Sequence, residues 1–109
     1  MAWIIQFYET KRGERVVKEF IKSLSSSTIS KVGHHINLLE THGPFLTMPY
    51  SKKLTRDIYE LRIRGKEEIR ILYSFVKSNI CILHGFKKKT RKTPRKEIAT
   101  AEKRLLDII

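Results

Sequence analysis

Residues 58–86, IYELRIRGKEEIRILYSFVKSNICILHGF, decide the fold, because apolar and polar side chains alternate through much of this stretch. A period of two residues places successive side chains on opposite faces of a strand. Turns at Arg64-Gly65-Lys66 and at Lys77-Ser78-Asn79 interrupt the alternation. The stretch therefore predicts three strands joined by two turns, which is an antiparallel meander.

A turn at 64–66 sets the register of the first hairpin. That register pairs apolar with apolar residues and acids with bases: Leu61 with Ile69, Tyr59 with Ile71, Glu60 with Arg70, and Arg62 with Glu68. Cross-strand pairs of this kind support one another. Glu60, Arg62 and Arg70 are then predicted to share the face opposite the apolar side chains.

The residues before the meander predict one strand and two helices. The strand spans residues 3–8, and Thr10 is a candidate cap for the helix that follows. Apolar residues then recur at helical spacing in two segments. The serine turn at 25–28 separates these segments and offers a cap for the second helix. Gly43 and the proline after it end the second helix.

The remaining segments are a connection and a last helix. Residues 45–57 have no clear period and are predicted to be irregular. Thr93 is predicted to cap the last helix, with Pro94 at its first position. The predicted order is β-α-α-β-β-β-α in a single domain over residues 1–109. The fold class is α+β, with a twisted, mainly antiparallel sheet and an N-terminal αα-hairpin.

Charge indicates the kind of partner. The chain has 23 Lys and Arg against 11 Asp and Glu, a formal net charge of +12 and a pI near 10.1. Such a field attracts polyanions, of which nucleic acid is the commonest. Between residues 87 and 95 the chain carries six basic residues and no acid. A basic structural protein and a membrane-surface protein remain alternatives.

Other classes of site find little support in the sequence. His34 and His35 are adjacent and would point about 100° apart on a helix, so no metal site and no cofactor is predicted. The single cysteine, Cys81, lies in an apolar run and is interpreted as a small core residue. No apolar stretch approaches the ~20 residues that a membrane span needs. We therefore expect a cytoplasmic protein with no membrane partner.

Two polar groups on the sheet are candidates for chemistry. Glu60, Arg62 and Arg70 form either a solvated ladder of ion pairs or a clamp for a phosphate group. His84 and Phe86 stand at the end of the last strand beside the basic run. Each is either structural or part of a site, the histidine as a base and the phenylalanine as a stacking surface for a nucleobase.

Four segments in order carry a family resemblance: IYELR at 58–62, IRILY at 69–73, LHGFKKKT at 83–90 and TPRKEI at 93–98. In order and spacing they resemble the phage-derived branch of the RelE/HigB toxin family. The resemblance implies the RelE-like fold and a ribosome-dependent endoribonuclease that cleaves mRNA. It also implies a cognate antitoxin, a HigA-like helix-turn-helix protein through which alone operator DNA would be bound.

Site residues follow from the resemblance by position. Arg70 would contact the scissile phosphate, Arg62 would support it, and Lys87 or Lys88 would assist the leaving group. The general base stays open among Glu60, Lys53 and His84, because the family's late catalytic tyrosine has no clear counterpart here. The residues expected to hold RNA are Lys52, Lys53, Phe86, Lys87, Lys89 and Arg91.

Three other functions remain open. A non-catalytic RNA- or ribosome-binding module would use the same charge. Some toxins of the same fold inhibit DNA gyrase instead of cutting RNA. A DNA-binding regulator is disfavoured, because the outer face of the first helix pair is not notably basic.

Overall fold

The computed structural model describes residues 2–109 and confirms the α+β class. Its elements in chain order are β1 (Ile4–Phe7), α1 (Val16–Lys22), α2 (Ser26–His42), a 3₁₀ turn (Gly43–Phe45), β2 (Ser51–Lys53), β3 (Tyr59–Ile63), β4 (Ile69–Val76), β5 (Asn79–Lys87) and α3 (Arg95–Ile108). Strand β2 lies in the segment that was predicted to be irregular. Three residues are too few for an alternating pattern, so this edge strand left no readable signal.

The five strands form one sheet in the order β1-β5-β4-β3-β2. Strand β1 is parallel to β5, and the other neighbours are antiparallel. The mainly antiparallel sheet is therefore confirmed, and the first strand of the chain closes one edge of the meander.

The predicted register of the β3–β4 hairpin is wrong by two residues. The observed pairs are Tyr59 with Tyr73, Glu60 with Leu72, Leu61 with Ile71, Arg62 with Arg70, and Ile63 with Ile69. The connection spans residues 64–68, because two glutamates leave the ladder for other partners: Glu67 accepts from Thr28, and Glu68 accepts from Arg70. A shift of two residues keeps every side chain on its predicted face.

Both faces of the sheet are covered by apolar packing. On one face Leu61, Ile71, Tyr73 and Ile82 pack in a cluster with residues of α1 and α2. On the other face Leu72, Leu83 and Phe86 pack with Ala101 and Leu105 of α3. The face that carries Glu60 and Arg70 is therefore a second, smaller core beside a polar end, and not a solvated ladder of ion pairs.

Helix ends follow local chemistry at two of the four predicted sites, Ser25 and Gly43, and not at Thr10 or Thr93. The Ser25 hydroxyl accepts the Thr28 N–H and begins α2, as predicted. Gly43 ends α2 with φ +52°, a conformation that glycine adopts without a steric penalty. Thr10 does not cap α1, because it closes a turn with Glu14 before the helix begins.

Over residues 2–109, no helix is long and apolar enough to cross a membrane. The same residues contain no group of three His, Cys, Asp or Glu side chains that could hold a metal ion. Cys81 is a free, buried thiol, and burial raises its pKa.

Candidate nucleic-acid interface

A groove of about 270 Å³ lies between β2, β3 and the segment that joins β5 to α3. Six cations and one carboxylate line it together with three uncharged residues: Lys52, Lys53, Glu60, Arg62, Lys88, Arg91 and Lys92, with Leu54, Thr93 and Ile98. Positive charges gathered in a concave surface concentrate anions there. We call this surface the basic groove.

Glu60 organises the inner wall of the basic groove. Its carboxylate lies 3.8 Å from Nε of Arg62 and 3.7 Å from Nε of Arg70, and it accepts a hydrogen bond from the Thr93 hydroxyl. Strand alternation places Glu60 and Arg62 on one face of β3, and Arg70 lies directly across from Arg62 on β4. The carboxylate offsets the repulsion between the two guanidinium groups.

Thr93 joins the site and does not cap α3 as predicted. Pro94 occupies the cap position, and α3 begins one residue later than predicted, at Arg95. The Thr93 side chain is then free to donate to Glu60, which ties the basic segment to the sheet.

Arg70 is buried, which contradicts the prediction that it projects from the sheet toward a phosphate. Its side chain is 1% exposed, and its terminal nitrogens donate to Glu68 at 3.1 Å and to the Ile69 carbonyl at 2.9 Å. It lies on β4, the central strand, with neighbours on both sides. Arg70 therefore pairs with Glu60 and Glu68 inside the protein and leaves almost no surface that an anion could contact.

Arg62 and Lys88 are the cations of the inner wall that line the basic groove. The Arg62 side chain is 13% exposed, and its Nη1 donates to Met48 Sδ at 3.3 Å. Lys88 Nζ donates to the Arg91 carbonyl at 2.7 Å. Burial and the nearby Arg70 and Arg62 lower the pKa of Lys88, which makes its ammonium a stronger proton donor.

His84 lies outside the basic groove and holds α3 against β5. Its Nδ1 accepts from Arg104 Nη1 at 3.3 Å, so Nε2 carries the proton and donates to Glu97 at 2.9 Å. Burial lowers the pKa of His84, although Glu97 opposes that shift. With both ring nitrogens engaged, His84 has no free lone pair, and its predicted role as a general base is not supported.

Phe86 and Lys87 also differ from prediction. Phe86 is 7% exposed, belongs to the core under α3 and stacks on His84, so its ring is closed to a nucleobase. Lys87 on β5 pairs with Ile69 on β4, so it lies on the face of the sheet opposite to Glu60 and Arg70. Its Nζ pairs with Glu67 at 2.9 Å. Hydrogen bonds from Lys87 and Thr28 lower the pKa of Glu67 to about 2.

The other predicted RNA-binding residues divide between the basic groove and the open surface. Lys52, Lys53 and Arg91 line the groove as a group, whereas Lys89 is exposed outside it. Sequence reasoning did not name Lys92 and Thr93 as site residues. Lys92 could have been found from its place in the basic run, but Thr93 resembled an ordinary helix cap.

The fold is that of the RelE-type toxins. The chain resembles a solved structure titled "The structure of YoeB dimer from Staphylococcus aureus" with a TM-score of 0.55 and 15% sequence identity, covering 83% of this chain and 100% of that chain. At this identity the likeness establishes the fold alone.

The family model described as "Phage derived protein Gp49-like (DUF891)" matches residues 19–106. The chain belongs to this family of RelE/HigB-type toxins, which confirms the resemblance inferred from the sequence. It is a toxin of the toxin–antitoxin class, and this membership implies an antitoxin partner. None of the curated proteins compared with the sequence matches it significantly.

Proposed function

We propose that this toxin is an endoribonuclease that cleaves mRNA on the ribosome and is neutralised by a HigA-like helix-turn-helix antitoxin in the cytoplasm. The basic groove is the observation that carries the proposal, because it combines six cations with an ordered carboxylate on one concave surface. The proposed reaction needs no added nucleophile, since the 2′-hydroxyl of RNA attacks the adjacent phosphorus. Operator DNA is bound only through the antitoxin.

Arg62 and Lys88 stabilise the transition state in this proposal. The 2′-oxygen forms a bond to phosphorus, the bond to the 5′-oxygen breaks, and negative charge grows on the phosphoryl oxygens. Arg62 lies where a phosphate in the groove would meet its guanidinium, and Lys88 gives its proton to the departing 5′-oxygen. A preorganised donor at developing charge contributes ~2–4 kcal/mol.

The proton of the 2′-hydroxyl must go to a base. Glu60 and Lys53 line the groove and are the candidates for this base, since both ring nitrogens of His84 are engaged elsewhere. Glu60 is 3% exposed and already accepts from Thr93, whereas Lys53 lies on the exposed edge strand β2. The ribosome would supply the orientation of the message that so open a groove lacks.

A non-catalytic RNA- or ribosome-binding protein is the second candidate. The burial of Arg70 favours it, because the guanidinium expected to contact the scissile phosphate is engaged by Glu68 and Ile69. The basic groove serves a binder as well as an enzyme. The two candidates differ in whether the message is cut.

Cleavage of a defined message by the toxin with purified ribosomes tests the proposal. Arg62→Ala and Lys88→Ala are each expected to slow cleavage about 100-fold or more. Lys22→Ala, which removes an exposed lysine of α1, serves as the matched control and should cleave like the wild type. Full activity in both groove variants would exclude the basic groove as the site, and an intact message with blocked translation would favour the binder.

A further inference from the structure

Residues 45–50 expose apolar side chains next to the basic groove. Phe45 is 88% exposed, Met48 55% and Tyr50 43%. Within residues 2–109, Phe45 and Tyr50 are the most exposed of the Phe, Trp and Tyr side chains. Isolated exposed apolar residues are ordinary, but three within six residues are a concentration that is typical of a contact surface. We call residues 45–50 the aromatic loop.

The aromatic loop is held by hydrogen bonds and packing, so Phe45 is presented on a fixed backbone. Leu46 N–H donates to the Gly43 carbonyl at 3.1 Å, and Tyr50 N–H donates to the Thr47 carbonyl at 3.0 Å. Leu46 packs against the main core. An aromatic side chain with few rotatable bonds on such a loop loses little entropy when it binds a partner.

The aromatic loop is continuous with the wall of the basic groove. Arg62 donates to it twice, from the backbone N–H to the Tyr50 carbonyl at 2.8 Å and from Nη1 to Met48 Sδ at 3.3 Å. Strand β2 begins one residue after Tyr50 and brings Lys52 into the groove. The same arginine thus belongs to the anion-binding surface and touches the exposed apolar one.

We propose that the aromatic loop is a nucleobase subsite, in which a base of single-stranded RNA stacks on Phe45 while phosphates of the same strand lie in the basic groove. The inference rests on the proposed function and extends it from phosphate to base contacts. A phenyl ring offers no hydrogen bond, so it would accept any base by stacking. Apolar surface beside concentrated positive charge matches RNA, which carries both flat bases and phosphates.

Binding of a fluorescent single-stranded RNA to the full-length toxin, followed by anisotropy, tests this subsite. Phe45→Ala is expected to weaken binding about tenfold. Phe45→Trp should retain wild-type affinity, because stacking needs only an aromatic face. Leu106→Ala is the matched control, since Leu106 is 71% exposed on α3, away from the groove. The same variants are measured with an abasic ribose-phosphate oligomer, for which Phe45→Ala should have no effect.

The outcomes separate this inference from the proposed function. Equal losses on RNA and on the abasic oligomer would overturn the subsite, because the defect would then not concern bases. RNA binding unaffected by Phe45→Ala would also overturn it. If the wild type binds no free RNA, the subsite is overturned, whereas the proposed function is decided separately by the cleavage assay with ribosomes. If the wild type binds RNA and cuts no message, the subsite stands and the enzyme does not.

Discussion

Arg62 and Arg70 lie side by side on adjacent strands, but their side chains have different access to solvent. The alternating pattern of the sequence places both on one face, and the structure agrees. The pattern could not show that Arg70 is buried, because burial depends on the neighbouring strands and on α3, which are distant in sequence. For the same reason the pattern could not show that both ring nitrogens of His84 form hydrogen bonds with residues of α3.

Arg70→Ala is predicted to act mainly by lowering the stability of the fold, because Arg70 is buried and offers little surface to RNA. The substitution leaves Glu60 and Glu68 without their buried partner, so the free energy of unfolding should fall by about 3–5 kcal/mol. Urea denaturation measures this, with exposed Arg12→Ala as a control that should change stability by less than about 0.5 kcal/mol. A stable Arg70→Ala protein that has lost cleavage would restore the phosphate contact predicted from sequence.

His84 makes stability depend on pH. Burial lowers its pKa in the folded state, so the unfolded chain binds the proton more readily, and stability declines as the pH falls through and below the ordinary value of 6.5. Glu97 and Arg104 face the ring with opposite effects. Urea midpoints at pH 7.5 and 5.5 should differ less in His84→Gln than in the wild type. An equal difference in both proteins would remove His84 as the cause.

Among the elements, the long helices and strands with a clear period could be predicted from the sequence, and so could the two ends of α2. Short strands and pairings between distant residues could not. Ser25 and Gly43 set the ends of α2 through chemistry within a few residues. Strand β2 forms because Ser51, Lys52 and Lys53 pair with β3. No local sequence pattern reveals that pairing. The length of the β3–β4 connection was predicted wrongly in part because Glu67 bonds to Thr28 and Lys87, which are far along the chain.

Gly33 within α2 and Gly43 at its end should show opposite changes in stability when replaced by alanine. Gly43 has φ +52°, and a Cβ there would overlap the Trp3 indole, so Gly43→Ala should destabilise the fold by about 1–3 kcal/mol or more. Gly33 lies within α2 with open space around it, so Gly33→Ala should stabilise by about 0.5–1 kcal/mol. Thermal unfolding compares them, and equal shifts of Tm would contradict this reading of the two backbones.

For the whole molecule, the net charge of +12 indicates a polyanionic partner but cannot indicate where on the surface that partner would bind. The fold gathers six cations in one groove and turns Lys87 to the other face. Composition cannot make that distinction, because it depends on which face each strand residue occupies after the sheet forms.

RNA binding should therefore depend on which cations are removed. Replacing Lys52, Arg91 and Lys92 by glutamine should reduce the slope of log K against log salt concentration by about 2. The control replaces Lys11, Lys18 and Lys22, which are exposed outside the groove, and changes net charge by the same amount. Anisotropy titrations at several salt concentrations give both slopes. Equal changes would mean that the total charge, and not the groove, binds the RNA.

The chemistry of the ends left on a ribosome-bound message tests the central claim most directly. Attack by the 2′-hydroxyl leaves a 2′,3′-cyclic phosphate on one fragment and a 5′-hydroxyl on the other. We predict these ends when toxin, ribosomes and message are mixed, and their loss with Arg62→Ala. Transcripts that stay whole while translation stops, or cuts that carry 5′-phosphates, would contradict the account.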